Sequence, residues 1–159
     1  MRDPAEVPIR LEPLFDLELE IGAIHAVGAA PTGNRVIADL GGGRFEGDRL
    51  RGTVRPSGGD WGLFMPDGTL RVDGRLCLEV DDGVLVYGIY KGRWEIAPET
   101  MARLGSAEGF DPRTGYTLRT TFEFEAPSES PHDWLNRIMA IAAGRWFEGG
   151  IRYEVYAVR

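Results

Sequence analysis

Polar and apolar residues alternate along most of the chain. Over residues 14–21, Asp16, Glu18 and Glu20 are set against Phe15, Leu17, Leu19 and Ile21, a period of two that predicts a strand with one buried face. Residues 70–80 alternate most clearly. Leu70, Val72, Gly74, Leu76, Leu78 and Val80 fall on one side, with Arg71, Asp73, Arg75, Cys77 and Glu79 on the other. The Asp82-Gly83 pair then breaks the pattern, and residues 84–90 resume it, which predicts a hairpin with a tight turn. Further strands are predicted over 36–40, 51–54, 116–125 and 151–158. Residues 41–43, three consecutive glycines, read as a turn or bulge where strands bend at a barrel corner.

Helical signals are few. Residues 97–104 predict one or two turns stopped by Gly105, and 106–115 read as a loop. One longer helix is predicted over about 131–143. Ser130 serves as N-cap, Pro131 as first helical residue and Gly144 as stop, and Trp134, Leu135, Ile138, Met139 and Ala142 form its apolar stripe. Short strands with frequent turns predict an all-β fold: a single antiparallel β-barrel of about eight or more strands with one late α-helix. The barrel is read as one domain over 1–159, with 1–8 irregular.

Composition narrows the function. The 159 residues are 43% hydrophobic, enough for a real core. The formal net charge is −7, and Lys91 is the lone lysine among 18 basic residues; such an acidic domain is expected to avoid nucleic acid. One cysteine, Cys77, and two histidines, His25 and His132, exclude a disulfide framework and argue against a Cys/His zinc site. No apolar run approaches the ~20 residues of a membrane span, and no signal-peptide pattern opens the chain. A soluble, cytoplasmic protein that binds no membrane is the expectation. No P-loop, G-x-G-x-x-G or G-x-S-x-G is present. Cys77 reads as a core filler, His132 as solvated, and His25 as a minor candidate base.

The polar rows carry the candidate chemistry. Arg71, Asp73, Arg75, Cys77, Glu79 and Asp81 are either a solvated outer face or the lining of a lumen. Arg119, Thr121, Glu123 and Glu125 form a matching row on a second strand. If both lined the lumen, two arginines and several acids would make a charge-balanced pocket, where burial and a neighbouring guanidinium could tune a carboxylate for acid–base work. Trp61, Trp94 and Trp134 stand near the same pieces as apolar walls or as ordinary core.

The run from Gly42 to Val54 (GGRFEGDRLRGTV), Gly58-Gly59-Asp60-Trp61, Pro66-Asp67-Gly68-Thr69-Leu70, Tyr116-Thr117-Leu118-Arg119-Thr120 and Trp134-Leu135-Asn136-Arg137 together resemble the uncharacterised "domain of unknown function 3237" family over about residues 8–158. The resemblance implies a barrel like that of allene oxide cyclases and dirigent proteins, which steer ring closure or coupling without a cofactor. It places the family's recurring polar residues on Asp60, Arg75, Arg119 and Asn136, beside Trp61 and Trp134. The chain departs from the family's pattern at Asp48, at Ser57 and in a longer 97–115 segment.

The leading expectation is a cyclase, isomerase or lyase that uses neither metal nor cofactor and acts on a small, oxygenated, partly apolar molecule. In it Asp60 is the acid or base and Arg75 and Arg119 stabilise developing negative charge. Trp61, Tyr90, Glu123, Trp134 and Asn136 contact the substrate. The alternative is a non-catalytic carrier or sensor that holds an anionic ligand on the two arginines. A third reading is a homo-oligomerisation module in which the apolar row of residues 70–80 faces a partner subunit; a homo-oligomer is also expected under the enzyme reading.

Overall fold

The structure is a computed structural model, and it describes residues 7–103 and 115–159. Eight antiparallel strands form a closed barrel in which each strand pairs with its neighbour in sequence and β1 closes on β8. They are β1 (Leu11–Ala30), β2 (Gly33–Glu46), β3 (Arg51–Phe64), β4 (Leu70–Val80), β5 (Leu85–Ile96), β6 (Tyr116–Glu125), β7 (Met139–Phe147) and β8 (Gly150–Val158). A short helix, α1 (Pro98–Arg103), follows β5, and a 3-10 turn, Asp133–Arg137, lies between β6 and β7. The expected loop over 106–115 falls almost wholly outside the described residues, as does most of the irregular segment 1–8. Among the described residues no helix is long and apolar enough to cross a membrane.

The strands are longer than the alternation alone predicts, because the glycine clusters bend them without ending them. The β2–β3 register shifts between Asp39 and Gly43, where Gly42 and Gly43 have φ of 127° and 141°. A second shift separates Val54 from Gly58. These are bulges, which turn strands at barrel corners. The hairpin at Asp82-Gly83 forms as expected: Gly83 has φ of 85°, and the Asp82 side chain accepts the Val84 amide at 3.1 Å.

The predicted helix over 131–143 does not form. Only Asp133–Arg137 is helical, and Met139 onward is a strand. Residues 139–144 bury Ala140, Ala142 and Gly144 while the odd positions face out. Small residues at the alternate positions let β7 pass close to β6, since a side chain at Gly144 would overlap Leu118. The barrel needs a strand here to join β6 to β8, and that pairing outweighs a local helical stripe. Leu135, fully buried, instead plugs one end of the barrel.

Inward rows fill the two halves differently. At the plugged end Phe15, Phe45, Phe122 and Phe124 pack ring to ring, with centroids 5.5–6.1 Å apart. Toward the other end the inward positions include Val36, Ala38, Gly62 and Val72. Small residues there leave the lumen open. The apolar row of β4 points into this barrel and its polar row points out, so the expectation that residues 70–80 turn an apolar face to a partner is corrected: Leu76 and Leu78 are core.

Candidate functional site

The open half of the lumen holds a cavity of about 370 Å³, within the range of small-molecule sites. Tyr90, Phe122 and Tyr153 form an aromatic layer, with Tyr90 stacked on Phe122 at 5.3 Å and 5.9 Å from Tyr153. Leu19, Ile21, Val72, Phe64, Trp94 and Trp146 supply apolar wall. Ile24, on the long β1–β2 hairpin and 64% exposed, and Met101 of α1 also line it, which puts the opening at this end.

Among the described lining residues one is acidic and none basic. Asp60 pairs with Gly74 across the β3–β4 ladder, and the pairing resumes only at Leu63 and Arg71. In that gap the Asp60 carboxylate accepts the amide of Asp73 at 3.2 Å. Tyr90 lies over Gly74, where any side chain would overlap its ring, and its hydroxyl stands near enough to the Asp60 carboxylate to favour its charged form. Burial pushes the Asp60 carboxyl up to about 6, against the Asp73 amide and the Tyr90 hydroxyl, which favour the charged form. Burial and the Asp60 charge raise the Tyr90 and Tyr153 phenols well above the usual range, so both stay protonated. Trp94 is buried, and its indole N–H has no hydrogen-bond partner among the described residues. An apolar chamber with one acid of near-neutral pKa and phenol donors can move a proton on a bound molecule.

The sequence-derived candidates divide between the two sides of the wall. Asp60 and Tyr90 line the cavity. Arg75 and Arg119 do not, which corrects the expectation that both guanidinium groups face the lumen. Both stand at outward positions of their strands because the alternate positions, Gly74, Leu76, Leu118 and Thr120, are the buried ones; an unpaired guanidinium inside would be costly. Arg75 binds Asp73 at 2.6 Å and lies 5.5 Å from the ring of exposed Trp61. Arg119 reaches the Leu118 carbonyl at 2.9 Å. Glu123 is exposed on the outer wall. Asn136 accepts the Ala126 amide at 2.7 Å and donates to its carbonyl at 3.0 Å, fastening the 3-10 turn to the end of β6. Trp134 sits beneath the Arg49 guanidinium at 3.9 Å, in the same turn. His132 is mostly buried and bound to Asp82 at 2.7 Å, a clasp between this segment and the β4–β5 turn and not a solvated residue. His25 pairs with Asp39 at 2.9 Å on the exposed hairpin and is not among the described residues that line the cavity.

Tyr153 is a lining residue that the sequence reading does not single out. The available signal was a polar tip within an apolar inward row: Tyr153 stands among Ile151, Val155 and Ala157, and Tyr90 and Trp94 continue the row of Val86 and Gly88. The wholly polar rows drew attention outward.

A family model described as "Protein of unknown function (DUF3237)" matches residues 9–158. A UPF0311 protein of Rhodopseudomonas palustris is 26% identical over 145 residues, 91% of this chain and 94% of its own length. Among solved structures, a β-barrel-like protein from Acinetobacter baumannii superposes with a TM-score of 0.83 at 31% identity, covering 99% of this chain and 100% of that one. A conserved protein of unknown function from Rhodopseudomonas palustris gives 0.86 at 25%, covering 96% and 99%. An enzyme from Penicillium herquei gives 0.70 at 19%, covering 99% and 100%, a likeness of fold.

Proposed function

We propose, on the premise that the chain belongs to the DUF3237 family, that its barrel binds a small, partly apolar, oxygenated molecule in the cavity and that Asp60 moves a proton on it. The observation that carries this reading is the single carboxyl, Asp60, among the described residues of an otherwise apolar lining, where burial pushes its pKa up to about 6. A group poised near neutrality serves as base in one half-reaction and acid in the other. In the forward step the ionised Asp60 takes a proton from carbon next to a carbonyl, or from an enol or phenol. The electron pair moves onto the substrate oxygen, and the proton then returns from Asp60 to another atom. Isomerisation, elimination and ring closure share this step. Tyr153, whose phenol stays protonated, is the donor for the oxygen, the role that the exterior arginines do not fill.

The site also bears on ligand charge. Among the described residues that line the cavity none is cationic, and Asp60 repels an anion. Neutral ligands are therefore the first to screen, with anionic ones as the comparison that the carrier reading requires.

The test screens neutral enones, enols and phenols by thermal shift and then by product analysis. The reading expects a ligand that is turned over by the native protein, while Asp60→Asn still binds it and loses at least about a hundredfold in rate. Equal turnover by Asp60→Asn, or ligands returned chemically intact, would overturn it, the latter in favour of a carrier.

A further inference from the structure

The outer wall holds a second feature that the lumen does not use. Register places Arg71 opposite Arg93, and Arg93 opposite Arg119. All three are exposed, so three guanidinium groups stand side by side across β4, β5 and β6. Like charges directly opposite on adjacent strands repel. Several arginines elsewhere on the wall are ion-paired: Arg44 and Arg152 share Glu18, Arg55 pairs with Glu79, Arg137 with Asp133 and Arg159 with Glu12. Among the described residues the three in the row form no ion pair; Arg93 and Arg119 donate to main-chain carbonyls at 2.9 Å, and Arg93 adds a weak attraction to the exposed Asp67 carboxylate. In a chain of net charge −7 the strip is a local concentration of positive charge that an anion would stabilise.

Beside the strip runs a groove of about 690 Å³. One bank is Lys91, Arg93 and Arg119; the other, on β7, β8 and the start of β1, is Ile141, Tyr156 and Leu11. Leu11 is 52% exposed and Ile141 38%. No carboxylate lines the groove. Glu154, the next acid along the row beyond Ala143, is occupied by Tyr156 at 3.3 Å and Arg145 at 4.0 Å.

We infer that this groove is a binding site for a small amphipathic acid, with its anionic head on Arg93 and Arg119 and its apolar body along Ile141 and Leu11. Charge complementarity selects the head, since guanidinium forks bind carboxylates in two-point fashion. The acidity of the rest of the chain disfavours an extended polyanion or an anionic membrane, both of which would bring many charges near it.

Decanoate is the probe, titrated by calorimetry and followed through isoleucine methyl resonances. The inference expects binding that weakens about tenfold in Arg93→Gln and again in Arg119→Gln and that falls with salt, with Ile141 methyls shifting and the cavity residue Ile151 still. Arg55→Gln, on another part of the wall, leaves affinity unchanged. Both test residues are exposed, and removing the central like charge leaves the unliganded barrel at least as stable as before, so the variants remain folded. Undiminished affinity in the Arg93→Gln, Arg119→Gln double variant, or shifts confined to Ile151, would overturn the proposal. So would binding to anionic phospholipid vesicles with no binding of free decanoate, or an apolar bank shown by light scattering to be buried against a second copy.

Discussion

The ring of Tyr90 lies across the bare Cα of Gly74, in space that a single methyl group would fill. This contact lets a tyrosine on β5 pass over β4 and meet Asp60 on β3, so a glycine that looks like a lapse in an apolar row shapes the proposed reaction centre.

Gly74→Ala should therefore displace Tyr90 while leaving the barrel closed. Overpacking of this kind costs about 1–3 kcal/mol, measurable by urea denaturation. The specific sign is a change in the Asp60 pKa, because the Tyr90 hydroxyl would no longer reach its carboxylate. A normal stability together with an unchanged Asp60 titration would contradict the contact.

Asp60 itself should weaken the fold at neutral pH. Its pKa is raised in the native state from the usual 3.8 to about 6. The folded protein therefore holds the proton more tightly than the unfolded chain between those values, and stability declines as pH rises from about 4 to about 6. The penalty is on the order of 3 kcal/mol at most above that range. Asp60→Asn removes it. Thermal melts should show the variant gaining on the native protein as pH climbs from 4 to 7, and a pH-independent difference would count against a buried carboxylate.

Glu18 should act in the opposite sense. Its hydrogen bonds to Arg44, at 2.7 Å, and to Arg152 hold its carboxyl down at about 2. The stabilisation is present above the usual carboxylate range and is lost as pH falls through about 2. Glu18→Gln should cost about 1–2 kcal/mol at pH 7, with the difference fading toward pH 2. Denaturation midpoints of the two proteins at pH 7 and pH 2.5 check this.

Much of the barrel was legible because period-two alternation survives wherever a strand has one wet face. Leu70–Val80 and Tyr116–Glu125 have the predicted bounds. Met139–Phe147 was illegible because Met, Ala and Ile satisfy a helical stripe as readily as a strand, and only the gap between β6 and β8 decides between them. The site was half legible. The resemblance of Gly58-Gly59-Asp60-Trp61 to a family pattern points to Asp60, whereas two charged rows on two strands suggest a balanced pocket and so misplace the arginines inside. Desolvation sends such rows outward, and it is the isolated polar tip in an apolar row, as at Tyr90 and Tyr153, that marks the interior.

The most direct measurement is a carbon-13 titration of the aspartate carboxyl groups, with Asp60 assigned by its loss in Asp60→Asn. An Asp60 carboxyl that titrates near 6, and moves when a neutral ligand occupies the barrel, is the predicted result. A value near 4 that is indifferent to ligand would mean that Asp60 is solvated, and the proposed proton transfer would have no base.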